Sequence, residues 1–281
     1  MLLLVDLDGV VYRQSEAVPG VASVLAARAA AGDEVVYVTN NATAYHADYL
    51  PRLAAHGAPV RAGCVVTSAF AAAQWLRDEL PAARRILAVG ASGLERELRE
   101  AGYDVVSVGH AATRMAQEGL DGWSAAGHPD AVVVGLDPQM SYLRVAAAAD
   151  CVRAGAALVA TNRDPVFPTE NGFRPGAGAV VAAVATAARS EPRVVIGKPG
   201  PYLLELGART VGGDLASAVM IGDSLTDVAA GRAVGARTIL VLTGVTTPAM
   251  AAAIPAGERP TRITADAAEL EAALRELAAG D

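Results

Sequence analysis

Aromatic side chains make up only 4% of these 281 residues, although 53% of the chain is hydrophobic. Alanine, valine and leucine supply the difference, which predicts close helix-on-sheet contacts between small side chains rather than a core of stacked rings. Cysteine is almost absent. Cys64 and Cys151 stand far apart with no partner at metal-ligand spacing, so a disulfide-stapled scaffold and a zinc site are both excluded, and two buried free thiols in a reducing compartment are expected. Histidine is as thin: His46, His56, His110 and His128 fall at no ligand spacing. The net charge is −7 with no run of basic residues, which argues against nucleic acid as a partner, since that surface needs clustered Lys and Arg. No apolar run approaches the roughly 20 residues of a membrane span, and no basic stretch precedes Leu2–Val5 as it would in a signal peptide. The expectation is a soluble, cytoplasmic protein with no membrane partner.

What the chain does contain is alternation. Short apolar runs at 2–5, 34–38, 65–67, 86–89, 103–108, 131–134, 157–160, 194–196, 217–221 and 238–242 are separated by helical patterns. Strand–helix alternation predicts an α/β fold, with doubly wound parallel sheets joined by right-handed crossovers. The polar cluster Thr39-Asn40-Asn41-Ala42-Thr43 reads as the opening of a helix running to about His56, and Ser92-Gly93-Leu94-Glu95 as a capping box. Residues 110–128 are weakly patterned, and Asp164–Gly178 is a Pro- and Gly-rich loop suited to a hinge. Trp75 reads as core and Trp123 as a residue that lines a pocket. The segment 81–178 carries strands and helices of its own. It therefore reads as a domain inserted into a discontinuous core of 1–80 and 179–281.

The first apolar run is short and wholly apolar, the pattern of a strand buried on both faces. It ends in two carboxylates one residue apart, Asp6 and Asp8, followed by Gly9. Alone, such a pair is an ordinary strand-to-turn junction. Three further strand ends change its meaning: Thr39 with Asn40, Lys198, and Asp223 with Asp227. Each follows an apolar run, so all four are expected on one edge of one parallel sheet, where open α/β sheets bind ligands. Acids, a hydroxyl and a lysine on that edge form an active-site inventory. Clustered carboxylates suit a hard divalent ion, most readily Mg2+. A hydroxyl and free amides at a helix start suit phosphate. A lysine among acids stays charged and pairs with phosphate and carboxylate alike. An aspartate can act as a nucleophile, and a second carboxyl can pass a proton to the leaving group.

Asp6-Leu7-Asp8-Gly9-Val10, Thr39-Asn40-Asn41, Gly197-Lys198-Pro199 and Gly222-Asp223-Ser224-Leu225-Thr226-Asp227 resemble, in order, the four motifs of the haloacid dehalogenase (HAD) superfamily. The insertion between the second and third motifs resembles the C2-capped, NagD-like and 4-nitrophenylphosphatase-like subclass. So do Ala17-Val18-Pro19-Gly20, Val133-Val134-Gly135-Leu136-Asp137, Ala160-Thr161-Asn162-Arg163-Asp164 and Pro175-Gly176. The resemblance implies a HAD-like, Rossmann-like core with an α/β C2 cap, and a Mg2+-dependent phosphatase acting on a small phosphorylated metabolite. Glycerol phosphate, phosphoglycolate, a sugar phosphate and a nucleotide monophosphate are the classes it implies. Asp6 would be the nucleophile, forming an aspartyl-phosphate, and a metal ligand. Asp8 would be the general acid/base, with its carbonyl on the metal. Thr39 and the amide of Asn40 would hold the phosphoryl group, Lys198 would neutralise charge, and Asp223 would bind Mg2+. Asp227, Asn41, Asn162 and Asp164 would support them. The interval from Asp223 to Asp227 is one residue shorter than the subclass pattern, which leaves the role of Asp227 open. A phosphotransferase or mutase using the same intermediate, and a non-enzymatic phosphoacceptor or metabolite sensor, are the alternatives. Asp8 favours the phosphatase, because an ester leaving group needs a proton. The cap surface is a place for a homodimer contact.

Overall fold

The computed structural model describes residues 1–119, 128–169 and 172–279, so Trp123 lies outside the described residues. The chain divides into two compact units. One comprises Met1–Thr39, Ala47–Val66 and Lys198–Asp281, and the other Asn40–His46 and Thr67–Gly197. In chain order the first unit begins with β1 (Leu2–Val5), β2 (Tyr12–Arg13), β3 (Glu16–Ala17), α1 (Val21–Ala30), β4 (Glu34–Thr39), α2 (Leu50–Ala55) and β5 (Val65–Thr67). The second unit holds α3 (Ser68–Glu79), β6 (Arg85–Val89), α4 (Ser92–Glu100), β7 (Asp104–Ser107), α5 (Val108–Glu118), β8 (Ala131–Val134), α6 (Tyr142–Arg153), β9 (Ala157–Ala160), β10 (Val166–Thr169), β11 (Gly172–Pro175), α7 (Ala177–Ala188) and β12 (Val194–Val195). The chain returns through α8 (Tyr202–Val211), β13 (Ala218–Gly222), α9 (Leu225–Ala233), β14 (Arg237–Val241), α10 (Pro248–Ala252), β15 (Arg262–Thr264) and α11 (Ala267–Ala279). No helix among the described residues is long and apolar enough to cross a membrane.

The first unit is built on a sheet of order β15-β14-β13-β1-β4-β5. β1 is parallel to both β13 and β4, with Val5 opposite Ile221 on one side and Tyr37 on the other. All four residues of β1 are buried, as its unbroken apolar run requires of a central parallel strand. The strand order reverses at β1, so the crevice of a doubly wound sheet opens at its carboxyl end. Register then decides what lines that crevice. Asp6 donates its amide to Ile221 O at 2.9 Å, which carries the ladder one step past β1. β13 ends at Gly222, one residue before Asp223, and β4 ends at Thr39.

The second unit has its own parallel sheet, of order β12-β9-β8-β6-β7. Leu87, Val132, Val134 and Leu158 of these strands pack with Ala147, Ala148 and Ala149 of α6 and with Val180, Val181 and Val184 of α7. The alanine stripe is what the shortage of aromatics predicted. Trp75 is buried, as expected, and the Arg193 guanidinium carbon lies 5.8 Å from its ring centre.

Several local expectations change. The second unit runs from Thr67 to Gly197, so the expected boundaries at 80/81 and 178/179 fall inside it. α3 packs on α4 and β12 pairs with β9, which gives both elements to that unit. Because β12 belongs to this sheet, Lys198 does not follow a strand of the first unit's sheet, although Lys198 itself is part of that unit. Periodicity identifies a strand but not the sheet it joins. The helix expected from Thr39 does not start there: residues 40–45 are irregular, a 3-10 turn spans His46–Tyr49, and α2 follows with Pro51 in its first turn. The expected capping box at Ser92 is absent; Ala91 precedes α4, and Gly93 N donates to Thr43 O at 3.1 Å. The expected loop from Asp164 to Gly178 contains the antiparallel hairpin β10–β11, whose Pro168 and Pro175 disguise it as a loop.

Candidate active site

Three carboxylates converge at the carboxyl edge of the first unit's sheet. One oxygen each from Asp6, Asp223 and Asp227 lie within 4.8 Å of one another, and all three residues are buried. Lys198 threads among them. Its Nζ donates to Asp6 Oδ1 at 2.5 Å and to Val38 O at 3.2 Å, and pairs with Asp227 Oδ1 at 2.7 Å. Burial pulls the ammonium down, but Asp227 and Asp6 outweigh it and hold Lys198 well above its usual range, so the cation is permanent.

The carboxylates are not equivalent. Asp227 is the third residue of α9, where its Oδ2 accepts from Ser224 N at 3.0 Å and from Ser224 Oγ at 2.5 Å. The Ser224 hydroxyl accepts the Asp227 amide in return, a reciprocal capping box. With Lys198 on its other oxygen, Asp227 is engaged through both carboxylate oxygens. Asp223 is held differently. Val245 N donates to its Oδ2 at 2.7 Å, and Thr246 N to its main-chain oxygen at 3.2 Å. Burial and then the neighbouring Asp227 push the Asp223 carboxyl up to about 6, against the pull of that amide and of Lys198. Asp6 is also raised, first by burial and further by Asp227 and Asp223, with Lys198 opposing.

Asp8 lies outside the three-carboxylate group, and its side chain reaches solvent. The protein mass around its base raises its carboxyl, with Arg52 and Lys198 opposing. Its backbone bridges to Tyr12, and Gly9 N donates to Tyr12 O at 2.7 Å, which closes the turn after the first acid pair. Arg52 of α2 lies 3.5 Å above the Tyr12 ring. Thr39, the last residue of β4, is buried at the same sheet edge.

The remaining residues singled out in the sequence lie in the second unit. Asn40 Nδ2 donates to Asp164 Oδ2 at 3.0 Å, while its carbonyl accepts from Asn162 Nδ2 at 2.7 Å and Ser68 Oγ at 2.5 Å. Asn41 Oδ1 accepts from Thr43 N at 2.9 Å and Thr43 Oγ1 at 2.6 Å. His46 adds its amide, 2.7 Å from the buried Glu97 Oε1, and its ring Nδ1, 3.0 Å from either Glu97 oxygen. Asn40–His46 is thereby strapped along its length onto the second unit.

The donor set of the first unit fits a divalent cation. Three carboxylates face one ammonium, so negative charge is left over, and every donor is a hard oxygen. The cluster is also tightly cradled: a Cβ on Gly9 would lie 2.2 Å from Asp223 Oδ2, and one on Gly244 only 1.7 Å away. Gly9 has φ +81°, a conformation that only glycine adopts without strain. Lys198, Asp6 and Asp223 were legible as polar residues at strand ends or in a recurrent pattern. The loop 242–247 after β14 was not. It reaches Asp223 through main-chain atoms, and its sole sequence signal is Thr243-Gly244 directly after an apolar run.

The profile of the haloacid dehalogenase-like hydrolases matches residues 3–104, and a second, HAD-hydrolase-like profile matches 195–270. A glycerol-3-phosphate phosphatase from Gallus gallus is 37% identical over 253 residues, covering 87% of this chain and 80% of its own. The p-nitrophenyl phosphatase from Archaeoglobus fulgidus superposes with a TM-score of 0.82 at 29% identity, covering 97% of this chain and 98% of that one. A glycerol phosphate phosphatase from Mycobacterium tuberculosis, solved in complex with magnesium, superposes with a TM-score of 0.80 at 34% identity over 96% of this chain and 75% of that one.

Proposed function

The chain belongs to the haloacid dehalogenase-like hydrolases, and on that premise we propose that it hydrolyses a small phosphomonoester through a phosphoryl group carried on Asp6. The observation that carries this reading is the buried Asp6–Lys198–Asp227 chain of ion pairs at the switch point of the sheet, with Asp223 beside it.

Lys198 engages Asp6 Oδ1, which leaves Oδ2 as the oxygen placed to attack phosphorus. The ester P–O bond breaks as the Asp6–phosphorus bond forms, and Asp8 gives its proton to the departing alkoxide. Asp8, now a carboxylate at a solvent-reached position, takes a proton from water. That water attacks phosphorus, releases inorganic phosphate and restores Asp6. Thr39 offers its hydroxyl to a non-bridging phosphoryl oxygen, and Lys198 faces the negative charge that develops there. The side chain and carbonyl of Asn40 are engaged within the second unit. Asp6 and Asp223, with the Asp8 carbonyl, would hold Mg2+, which when bound supplies Lewis-acid neutralisation of the phosphoryl charge. Asp227 acts through Lys198. In this reading the first unit is the catalytic core and the second the inserted cap.

The test is phosphate release from glycerol phosphate, phosphoglycolate, sugar phosphates and nucleoside monophosphates, with and without Mg2+, for the wild type and Asp6→Asn. Metal-dependent release that Asp6→Asn abolishes is expected. Transfer of the phosphoryl group to an added alcohol in preference to water would replace hydrolysis by a phosphotransferase reading.

A further inference from the structure

Three segments of the first unit meet around the Asp223 carboxyl, and hydrogen bonds at Thr243 join them. Thr243 Oγ1 donates to Gly9 O at 2.7 Å, which ties the loop after β14 to the turn that follows Asp8. Arg13 Nε, in β2, donates to Thr243 O, which adds the β2–β3 hairpin to the same point. Two residues on, Val245 N holds Asp223 Oδ2 at 2.7 Å. There is no slack between these parts: a Cβ on Gly9 would come within 2.9 Å of Gly244 Cα as well as within 2.2 Å of Asp223 Oδ2.

We propose that Thr243 is a positioning residue for the divalent-cation site. By fixing the loop 243–246 to Gly9, it delivers the Val245 amide to Asp223 Oδ2 and so presents Oδ1 to the metal. A carboxylate with one oxygen pinned by a main-chain N–H cannot rotate about its Cβ–Cγ bond, and a ligand fixed before binding loses less freedom when the metal arrives. The same tie sets the distance between the loop that carries Asp6 and the loop that carries Asp223, the two acids that must share one ion. Thr243 touches neither metal nor substrate. It acts through the Val245 amide, and Arg13 supports it from the other side.

This inference rests on the metal reading above, and calorimetric titration of the substrate-free protein with Mg2+ separates the two. Wild type that binds no Mg2+ would defeat the metal reading itself. With wild type binding, Thr243→Val, which keeps the shape and removes the hydroxyl, is expected to weaken Mg2+ binding about tenfold or more. Thr243→Ser, which keeps the hydroxyl, is expected to restore it. Arg13→Met, at an exposed position, is expected to weaken binding by a smaller factor while the metal-free melting temperature stays at the wild-type value. Arg13→Met therefore decides the matter if Thr243→Val fails to fold. Wild-type Mg2+ affinity in a folded Thr243→Val or in Arg13→Met would overturn the proposal, as would a Thr243→Ser variant as weak as Thr243→Val.

Discussion

At the residue scale the site is a problem of excess negative charge solved with one buried cation. Lys198 pairs with Asp6 and Asp227, and its side chain is only 3% exposed. Removing it leaves two buried carboxylates without their partner. Lys198→Met is therefore expected to destabilise the metal-free protein by about 3 kcal/mol at neutral pH, measured by urea denaturation, because breaking a buried pair from one side strands the other charge. Activity should fall with it, by more than the fraction unfolded explains. Asp227→Asn keeps the capping geometry at Ser224 and loses charge against Lys198. Its expected signature is a fall in kcat with the thermal midpoint lowered less than in Lys198→Met. Asp6, Asp8, Lys198 and Asp223 were legible in the sequence because their chemistry lies in side chains at the ends of apolar runs. Thr243, Gly244 and Val245 were not, because two of the three act through main-chain atoms, which leave no signature in residue type.

At the element scale, what escaped sequence reading was the fate of short irregular pieces. Thr39-Asn40-Asn41-Ala42-Thr43 looks like a helix start, since each polar residue there is a good cap. In the fold those groups are used elsewhere: Asn41 turns the chain through Thr43, Asn40 bonds Asp164 and Asn162, and His46 bonds Glu97. Tertiary partners outcompete the local cap. The strap lies flat on α4 because residue 93 has no side chain. A Cβ there would sit 2.5 Å from Thr43 O and from Ala44 C, both main-chain atoms that cannot swing aside. Gly93→Ala should therefore lift residues 40–46 off the second unit and cost roughly 1–3 kcal/mol. Hydrogen exchange is the measurement that checks it, with protection lost in the strap and kept in β6 and β8. The hairpin β10–β11 escaped for a simpler reason: its prolines argued against strands, and a two-stranded ribbon tolerates them where a central strand does not.

At the scale of the whole molecule, alternation was enough to give parallel sheets, because a parallel strand cannot be followed by another without a crossover. It was not enough to give the boundaries. β12 has two residues, and only its pairing with β9 shows which sheet it completes. The charge arrangement also has a consequence for the molecule as a whole. Asp6 and Asp223 are raised above the ordinary carboxylate value, Asp223 from 3.8 to about 6. A carboxyl whose folded value is raised binds its proton more tightly when folded. Its contribution to stability is complete below the unfolded value and is lost as pH rises through the folded one. The metal-free protein is thus expected to lose thermal stability between about pH 4 and pH 7. Mg2+ needs the deprotonated acids, so the rise in melting temperature it produces should be larger at pH 7.5 than at pH 5. Melting curves across that range, in chelator and in excess Mg2+, give both trends; a metal-induced shift independent of pH would contradict them.

The central claim is that phosphorus is bonded to Asp6 during turnover. It is tested most directly by mixing the enzyme with p-nitrophenyl phosphate and Mg2+, quenching in acid within the first turnover, and mapping the phosphoryl group by peptide mass spectrometry. The account predicts one acid-stable, hydroxylamine-labile phosphoryl group on the peptide carrying Asp6, absent from Asp6→Asn along with all turnover. A phosphoryl group on another residue, or Asp6→Asn turning over at the wild-type rate, would contradict it.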